Sequence, residues 1–380
     1  MSGCIEHSSV PEAERRGLLQ ELFSGLDAEK IGAEYLRAAE SGDEKSRIAA
    51  IAKYYRTRAP KPAGAWKMPD PDFRKTADRA VRGEMNEVSI PWTFPGGRID
   101  WRFNPTFDHP PCNHEWLWQL NRMSFWTDMA AAYRETGDEK YAAAFDAQLE
   151  SWLATAGSPP SADWNKPGSL WRTIETGLRM MNSWNQAFEV FRTSPSFSDE
   201  NLCLMLGSMC RHARHLREHH RPRTNWLLME MSGLYTFAVN FPEFKSASAM
   251  RSYAAKVFGS AFSSQILPDG MYDELSPDYH LVLLGCVLTF LDIGGKDAAE
   301  KDLPPGFLAK MESNFNAIVQ MITPAMTMPR TNDTYTVATD RNLRGAVDLF
   351  PHRKDFRWAF TKRKEGAPPD SSPTASRFLP

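Results

Sequence analysis

An all-α fold of paired helices is predicted for this chain, and three observations carry the prediction. From about residue 115 to about 325 one unit recurs: an amphipathic or wholly apolar stretch of about 14 to 20 residues, then a short turn marked by Gly, Pro, Ser or Asp. No long alternating strand pattern and no βαβ rhythm interrupts it. With 380 residues, 42% of them hydrophobic, the chain is long and apolar enough to bury a substantial core, which excludes intrinsic disorder as its main description.

The elements follow in order. The first 60 residues hold three charged helical stretches, AERRGLLQELFSGL, AEKIGAEYLRAAES and SRIAAIAKYYRTRA, suited to an outer cap. The stretch VSIPWTFPGGRIDWRFNPTFDHPPCNHEW is rich in Pro and aromatic residues and reads as irregular; such segments are usually functional or wrap a surface. WLWQLNRMSFWTDMAAAYRE then runs to Gly137, and DEKYAAAFDAQLESWLATA to Gly157. In the latter, Ala142, Phe145, Leu149 and Trp152 keep the 3,4 spacing of a buried stripe, and Asp138 and Glu139 stand at a helix start where their charge suits the dipole. SLWRTIETGLRMMNSWNQAFEVF stops before Ser194-Pro195. DENLCLMLGSMCRHARHLREHH, NWLLMEMSGLYTFAV, ASAMRSYAAKVFGSAFSSQIL, DYHLVLLGCVLTFLDI and GFLAKMESNFNAIVQMI follow. LVLLGCVLTFLDI is apolar on more than one face, as an inner helix is. The end, KEGAPPDSSPTASRFLP, reads as a low-complexity linker.

Composition narrows the function classes. Twelve Trp, 22 Phe and 10 Tyr suit either an aromatic-rich core or a groove for flat, ring-shaped ligands. Five cysteines without a CxxC pair support neither a disulfide framework nor a zinc ribbon, so reduced thiols are expected. No run of about 18 apolar residues occurs, and MSGCIEHSSVPEAERR lacks the layout of a signal peptide. No membrane partner is expected, and the location expected is cytoplasmic, a periplasmic one being left open by a leader already removed. No Gly-rich phosphate loop or dinucleotide fingerprint is present, so no cofactor is expected.

One segment stands out on charge. RHARHLREHHRPR holds Arg211, Arg214, Arg217, Arg221 and Arg223 with His212, His215, His219 and His220, against one acid, Glu218. It reads either as a solvated helix end or as an anion-collecting rim that includes Arg223. His215 and His219 share a helix face, but no third ligand is apparent and no metal is expected. The formal net charge of −2 and the lack of any nucleic-acid motif argue against nucleic acid as a partner. Directly after this segment Asn225 opens an apolar helix, where capping alone would justify it. Tyr279 follows 54 residues later, in LPDGMYDELSPDYH, and would serve as well as a half-buried core tyrosine.

The pair has a further meaning. NWxxxExxGL followed by DGxxxExSPxYH resembles the heparinase II/III-type polysaccharide lyase family, which includes heparin and heparan-sulfate lyases and alginate lyase relatives. RIDWRFNP, the stretch WLWQLNR through YRETGDEKY to W, and SLWRTIETGLRMMNSW with Trp171, Arg172, Glu175 and Arg179 resemble further motifs of that family, in its order, over about residues 95–345. The resemblance implies an incomplete (α/α) toroid of helix hairpins at 85–345, with 1–84 as a helical cap and 346–380 as a linker. The family's usual C-terminal β-sandwich is expected to be absent from this chain.

Chemistry is implied as well. Lyases of this family cleave uronic-acid polysaccharides by β-elimination, removing the proton at C5 beside the carboxylate. That carboxylate must be neutralised or hydrogen-bonded before a side-chain base can act. By resemblance Asn225 takes that role, and Tyr279 is base and acid. The phenol needs a cationic neighbourhood to ionise, which the 211–223 segment and His280 would help to provide. A histidine that relatives draw from the β-sandwich would be replaced by His280, His220 or His114, and Trp226 stands where many relatives have His. Arg122, Arg172 and Arg179 are candidate carboxylate or sulfate clamps, or else helix ion-pair partners. Trp118 and Trp171 are candidates to stack on sugars, or else core. Glu230 and Glu274 look like orienters within the fold. Two other readings stay open: a glycoside hydrolase using Asp273, Glu274 or Asp163, and a non-catalytic carbohydrate-binding toroid. The partner expected throughout is an anionic polysaccharide or oligosaccharide.

Overall fold

The computed structural model describes residues 9–62, 71–108, 111–295, 301–335 and 339–369. Cys4 and the linker residues 370–380 lie outside them. The chain divides into two compact units, one of residues 1–221 with 229–251, the other of 222–228 with 252–380.

In the first unit the three N-terminal stretches become α1 (Glu12–Gly25), α2 (Ala28–Ile31), α3 (Ala33–Ser41) and α4 (Glu44–Thr57). Asp27 and Asp43 accept the N–H groups of Glu29 and Ser46, satisfying donors that a helix start leaves open. After α5 (Phe73–Val81) the stretch read as irregular contains a hairpin. Its strands, β1 (Glu84–Glu87) and β2 (Ile90–Thr93), pair antiparallel with Met85 opposite Trp92. The two turn residues, Val88 and Ser89, have φ of 47° and 64°, the left-handed geometry that a two-residue hairpin needs. Four-residue strands, one carrying Pro91, are too short and too atypical to show period-2 alternation.

The remaining elements of this unit are α6 (His114–Arg122), α7 (Ser124–Thr136), α8 (Lys140–Ala156), α9 (Thr173–Met181), α10 (Ser183–Phe191), α11 (Asp199–His219) and α12 (Asn225–Asn240) from Met229 onward. Two stretches that read as single helices are broken. Met123, with φ of 53°, parts α6 from α7, and Asn182, with φ of −124° and ψ of −94°, parts α9 from α10. Carbonyls at the first break take side-chain donors from the other: Ser183 Oγ gives to Arg122 O at 2.7 Å and Arg179 Nη1 to Asn121 O at 3.1 Å. Packing between distant segments thus overrides local helix propensity.

Glycines let the helices approach. A Cβ on Gly207 of α11 would stand 2.3 Å from Leu18 O of α1, and one on Gly233 of α12 would stand 2.5 Å from Gly177 O of α9. Aromatic rings fill the space between helices. Trp126 meets Phe145 at 4.9 Å, Trp152 meets Trp184 at 5.1 Å, and the ring of His212 lies 4.6 Å from Trp171 and 4.7 Å from Trp184. The stripe Ala142, Phe145, Leu149 and Trp152 is fully buried as its spacing predicts. Much of the aromatic excess is therefore core.

The second unit holds α13 (Ala247–Gln265) from Ser252 onward, α14 (Pro277–Gly294), α15 (Phe307–Met321), α16 (Asp340–Leu349) and α17 (Lys354–Phe360). Phe258 stacks on Phe290 at 4.4 Å, and Phe262 meets Phe307 at 4.7 Å. Between α13 and α14 the residues Asp269-Gly270 form the turn expected of them: Asp269 Oδ1 accepts the Met271 N–H at 2.9 Å. Gly270 has φ of 91°, and a Cβ there would stand 2.2 Å from Ser313 O, so no other residue fits. Residues 346–360, expected to be linker, are largely helical instead. Phe356 of α17 is fully buried, 6.1 Å from the ring of Phe315 on α15, an apolar anchor that the polar tail beyond it obscures in the sequence.

Candidate active site

In the second unit the chain reaches Asn225 through Thr224, whose φ is 85°. Thr224, not Asn225, caps α12: its Oγ1 accepts the Trp226 N–H at 3.3 Å and its carbonyl the Leu227 N–H at 3.2 Å. The carboxamide of Asn225 is thereby released from capping; the residue is only 7% exposed, and among the described residues its side chain has no hydrogen-bond partner. Its backbone N–H lies close to the hydroxyl of Tyr272. That hydroxyl also donates to Glu274 Oε1 at 2.8 Å, and burial with the nearby acids holds its pKa above the usual tyrosine range. The Tyr272 backbone N–H in turn reaches His280 Nδ1 at 3.2 Å. Asn225 is thus linked, through Tyr272, to the start of α14, where Tyr279 sits half-buried next to His280.

His280 does not have the role expected of it. It is fully buried, with Nδ1 accepting from Tyr272 and Nε2 donating to Asn314 O at 3.0 Å. Burial lowers its pKa to about 4, so the ring is neutral and both nitrogens are committed to holding the turn. It supplies neither a cation nor a mobile proton. Arg223 is exposed, two residues before Asn225.

In the first unit, the helix crossing at Gly177 and Gly233 sets Glu230 beside Thr173 and Glu175. Glu230 is fully buried; its Oε2 accepts the Arg221 N–H at 2.8 Å, and Oε1 has no hydrogen-bond partner among the described residues. Burial first, and the nearby Glu175 charge after it, push its pKa up to about 7, against the Thr173 hydroxyl and the Arg221 N–H. Glu175 is the hub of this region: Oε1 meets Arg122 Nη2 at 2.9 Å, and Oε2 stands 3.4 Å from Arg172 Nη1. Arg122 also meets Glu115 at 2.9 Å. Arg172 is buried, its pKa lowered by desolvation, and its guanidinium lies 3.6 Å over the ring of Trp118. Trp118 is partly exposed and donates to Pro167 O at 2.8 Å, so an aromatic edge next to two arginines stays within reach of solvent.

Other expected binding residues are structural. Arg179 is fully buried, donating to Asn121 O, Leu170 O and His212 Nε2 at 3.1, 3.0 and 3.3 Å, and burial lowers its pKa to about 9. It stitches the helix breaks and clamps no substrate. Trp171 is buried among Trp152, His212 and His215, with Nε1 on Ala156 O at 3.1 Å, and offers no face to a sugar. The 211–223 segment also separates: Arg211 pairs with Glu14 and Glu21, Arg214 with Glu21 at 3.0 Å, and His212 and His215 are buried and neutral. Of its other residues, those from Arg217 on reach solvent, as does the Arg214 side chain beside Glu21. Among the described residues no group of three or more His, Cys, Asp and Glu could hold a metal. Sequence reasoning missed Glu175 as a hub and Tyr272 as a link. The i,i+3 spacing of Arg172 and Glu175 signalled the first, whereas nothing local signalled the second.

The sequence pattern of the heparinase II/III N-terminus matches residues 22–358. This chain belongs to the heparinase II/III family. It is similar to the heparin-sulfate lyase of Bacteroides stercoris, 28% identical over 390 residues that take in 95% of this chain and 57% of that protein. The heparin-sulfate lyase of Pedobacter heparinus is also 28% identical, with 94% and 55% covered. The crystal structure of heparan sulfate lyase HepC from Pedobacter heparinus superposes with a TM-score of 0.71 at 25% identity, over 92% of this chain and 56% of that one. A crystal structure of heparinase III gives 0.81 at 20% identity and shares the fold. The fold class is all-α, the family's (α/α) toroid. The chain spans a little over half the length of the curated relatives it matches.

Proposed function

We propose that this chain is the toroid portion of a polysaccharide lyase that cleaves uronic-acid polysaccharides by β-elimination. The observation that carries the reading is the largely buried carboxamide of Asn225, which has no hydrogen-bond partner among the described residues and lies beside Tyr272, whose backbone N–H reaches His280 next to Tyr279. An amide with two free donors is suited to hold a uronate carboxylate, and its hydrogen bonds strengthen as charge moves onto that group. Tyr279, as phenolate, takes the proton from C5; the electron pair forms the C4–C5 double bond, the C4–O bond breaks, and the phenol returns a proton to the leaving oxygen. The names of the relatives, heparin-sulfate and heparan sulfate lyases, support a glycosaminoglycan as the substrate class.

The test is the rise in ultraviolet absorbance of the unsaturated uronate, followed on heparan sulfate, hyaluronan, chondroitin, alginate and glucuronan. Wild type raises it on at least one, and Asn225→Ala and Tyr279→Phe each cut the rate by about 10²-fold or more. Activity that survives Tyr279→Phe sinks the assignment of the base. A flat wild-type trace on all five means that these residues do not suffice for the chemistry.

A further inference from the structure

The turn that leads into Tyr279 is strapped down by residues 332–335 of the same unit. Asn332 Nδ2 donates to Leu275 O at 2.7 Å, Ser276 Oγ to Asp333 O at 2.9 Å, and the Asp278 N–H lies 3.4 Å from Thr334 Oγ1. The Asp278 carboxylate closes the strap, accepting the Tyr335 backbone N–H at 2.8 Å. A bond from a charged acceptor fixes a backbone more firmly than a neutral one. Yet the side chain so positioned is buried nowhere: Tyr335 is 78% exposed, the most exposed of the large apolar residues in the described chain. Leu275, at the start of the same turn, is 51% exposed and held at φ of 56°, a conformation that a branched residue adopts only under constraint from its surroundings.

A lone exposed aromatic needs no explanation, because much of any protein surface is apolar. What distinguishes Tyr335 is the investment in its backbone and its place, one hydrogen bond from the residue preceding Tyr279. We propose that Tyr335 is a stacking platform for a pyranose ring of the polysaccharide, next to the reacting sugar, with Asp278 as the positioning residue that holds it there. The phenol face is apolar and electron-rich, suited to the C–H face of a sugar, and carries no charge to repel a uronate. The assignment rests on the reading of Tyr279 as the reacting centre, and its test is kept separate from turnover.

The experiment measures calorimetric affinity for size-defined heparan sulfate and alginate fragments in a Tyr279→Phe background, which removes cleavage. Tyr335→Ala is expected to weaken binding roughly three- to tenfold and Tyr335→Phe to restore it, because the ring face is retained. Asp278→Ala is expected to lose part of the same affinity and Asp278→Asn, which keeps the acceptor, to recover it. Circular dichroism and melting of each variant identify any loss due to unfolding. If Tyr335→Ala binds as tightly as its parent, or if the parent binds no uronate fragment, the platform is overturned. If Tyr335→Ala weakens binding while wild type releases no unsaturated product, the platform stands and the lyase reading falls.

Discussion

At the scale of single residues, burial decides what each titratable group is able to do. Glu230 and His280 were both candidates by resemblance, and both are buried where desolvation favours their neutral forms. For Glu230 the consequence is a measurable pH dependence of stability. Its pKa is raised from 4.5 to about 7 on folding, so between those values the folded chain keeps a proton that the unfolded chain has lost, and stability falls as pH rises. The full effect corresponds to roughly 3 kcal/mol. Glu230→Gln keeps an acceptor for the Arg221 N–H and carries no proton to lose, so its melting temperature should exceed that of wild type at pH 8 by more than at pH 5. A gap that stays constant with pH refutes the buried-carboxyl account. Arg179 makes the opposite case, a cation kept in the core by carbonyl acceptors. Arg179→Ala should cost about 3 kcal/mol or more in urea unfolding, since it orphans two buried carbonyls, whereas a substrate clamp would show its loss in KM.

At the scale of elements, glycines and helix breaks set the packing of the first unit. The crossing of α9 and α12 depends on Gly177 and Gly233, each with no room for a Cβ. Gly177→Ala would place that carbon 2.8 Å from Glu230 Cα and push the helix away from Thr173 and Glu175. It should destabilise the chain by about 1–3 kcal/mol and return the Glu230 pKa toward ordinary values, seen as a weaker pH dependence of melting. The helices themselves were legible because their apolar periodicity is long and strong. The breaks at Met123 and Asn182 were not, because the local sequence there favours a helix and only partners about 60 residues away make the interruption favourable. The hairpin at 84–93 escaped notice for the contrary reason, being too short to show any period.

At the scale of the whole molecule, a chain of formal net charge −2 is proposed to bind a polyanion, so attraction has to be local. The basic run at 211–223 is divided by the fold: Arg211 is consumed by Glu14 and Glu21, whereas Arg223 faces solvent. Arg223→Gln should therefore weaken heparan sulfate binding at low salt and flatten its salt dependence. Arg211→Gln should leave the salt dependence unchanged and lower the melting temperature. Equal effects of the two on salt dependence would mean that the run acts as one patch after all.

The sequence by itself determined the all-α class, nearly every helix, the Asp269-Gly270 turn and the motifs that mark the family, because periodicity, turn chemistry and motif spacing are local properties of the chain. It also offered Asn225 and Tyr279 as candidates, on which the proposed function rests. Only the tertiary structure decided which of the remaining candidates are available: Arg179 and Trp171 went to the core, His280 to a turn, and Trp118 and Arg122 to an exposed edge around Glu175. The physical reason is that a side chain's type fixes the chemistry it is capable of, while its burial and its hydrogen-bond partners, set by residues far away in the chain, fix whether that chemistry is free to be used.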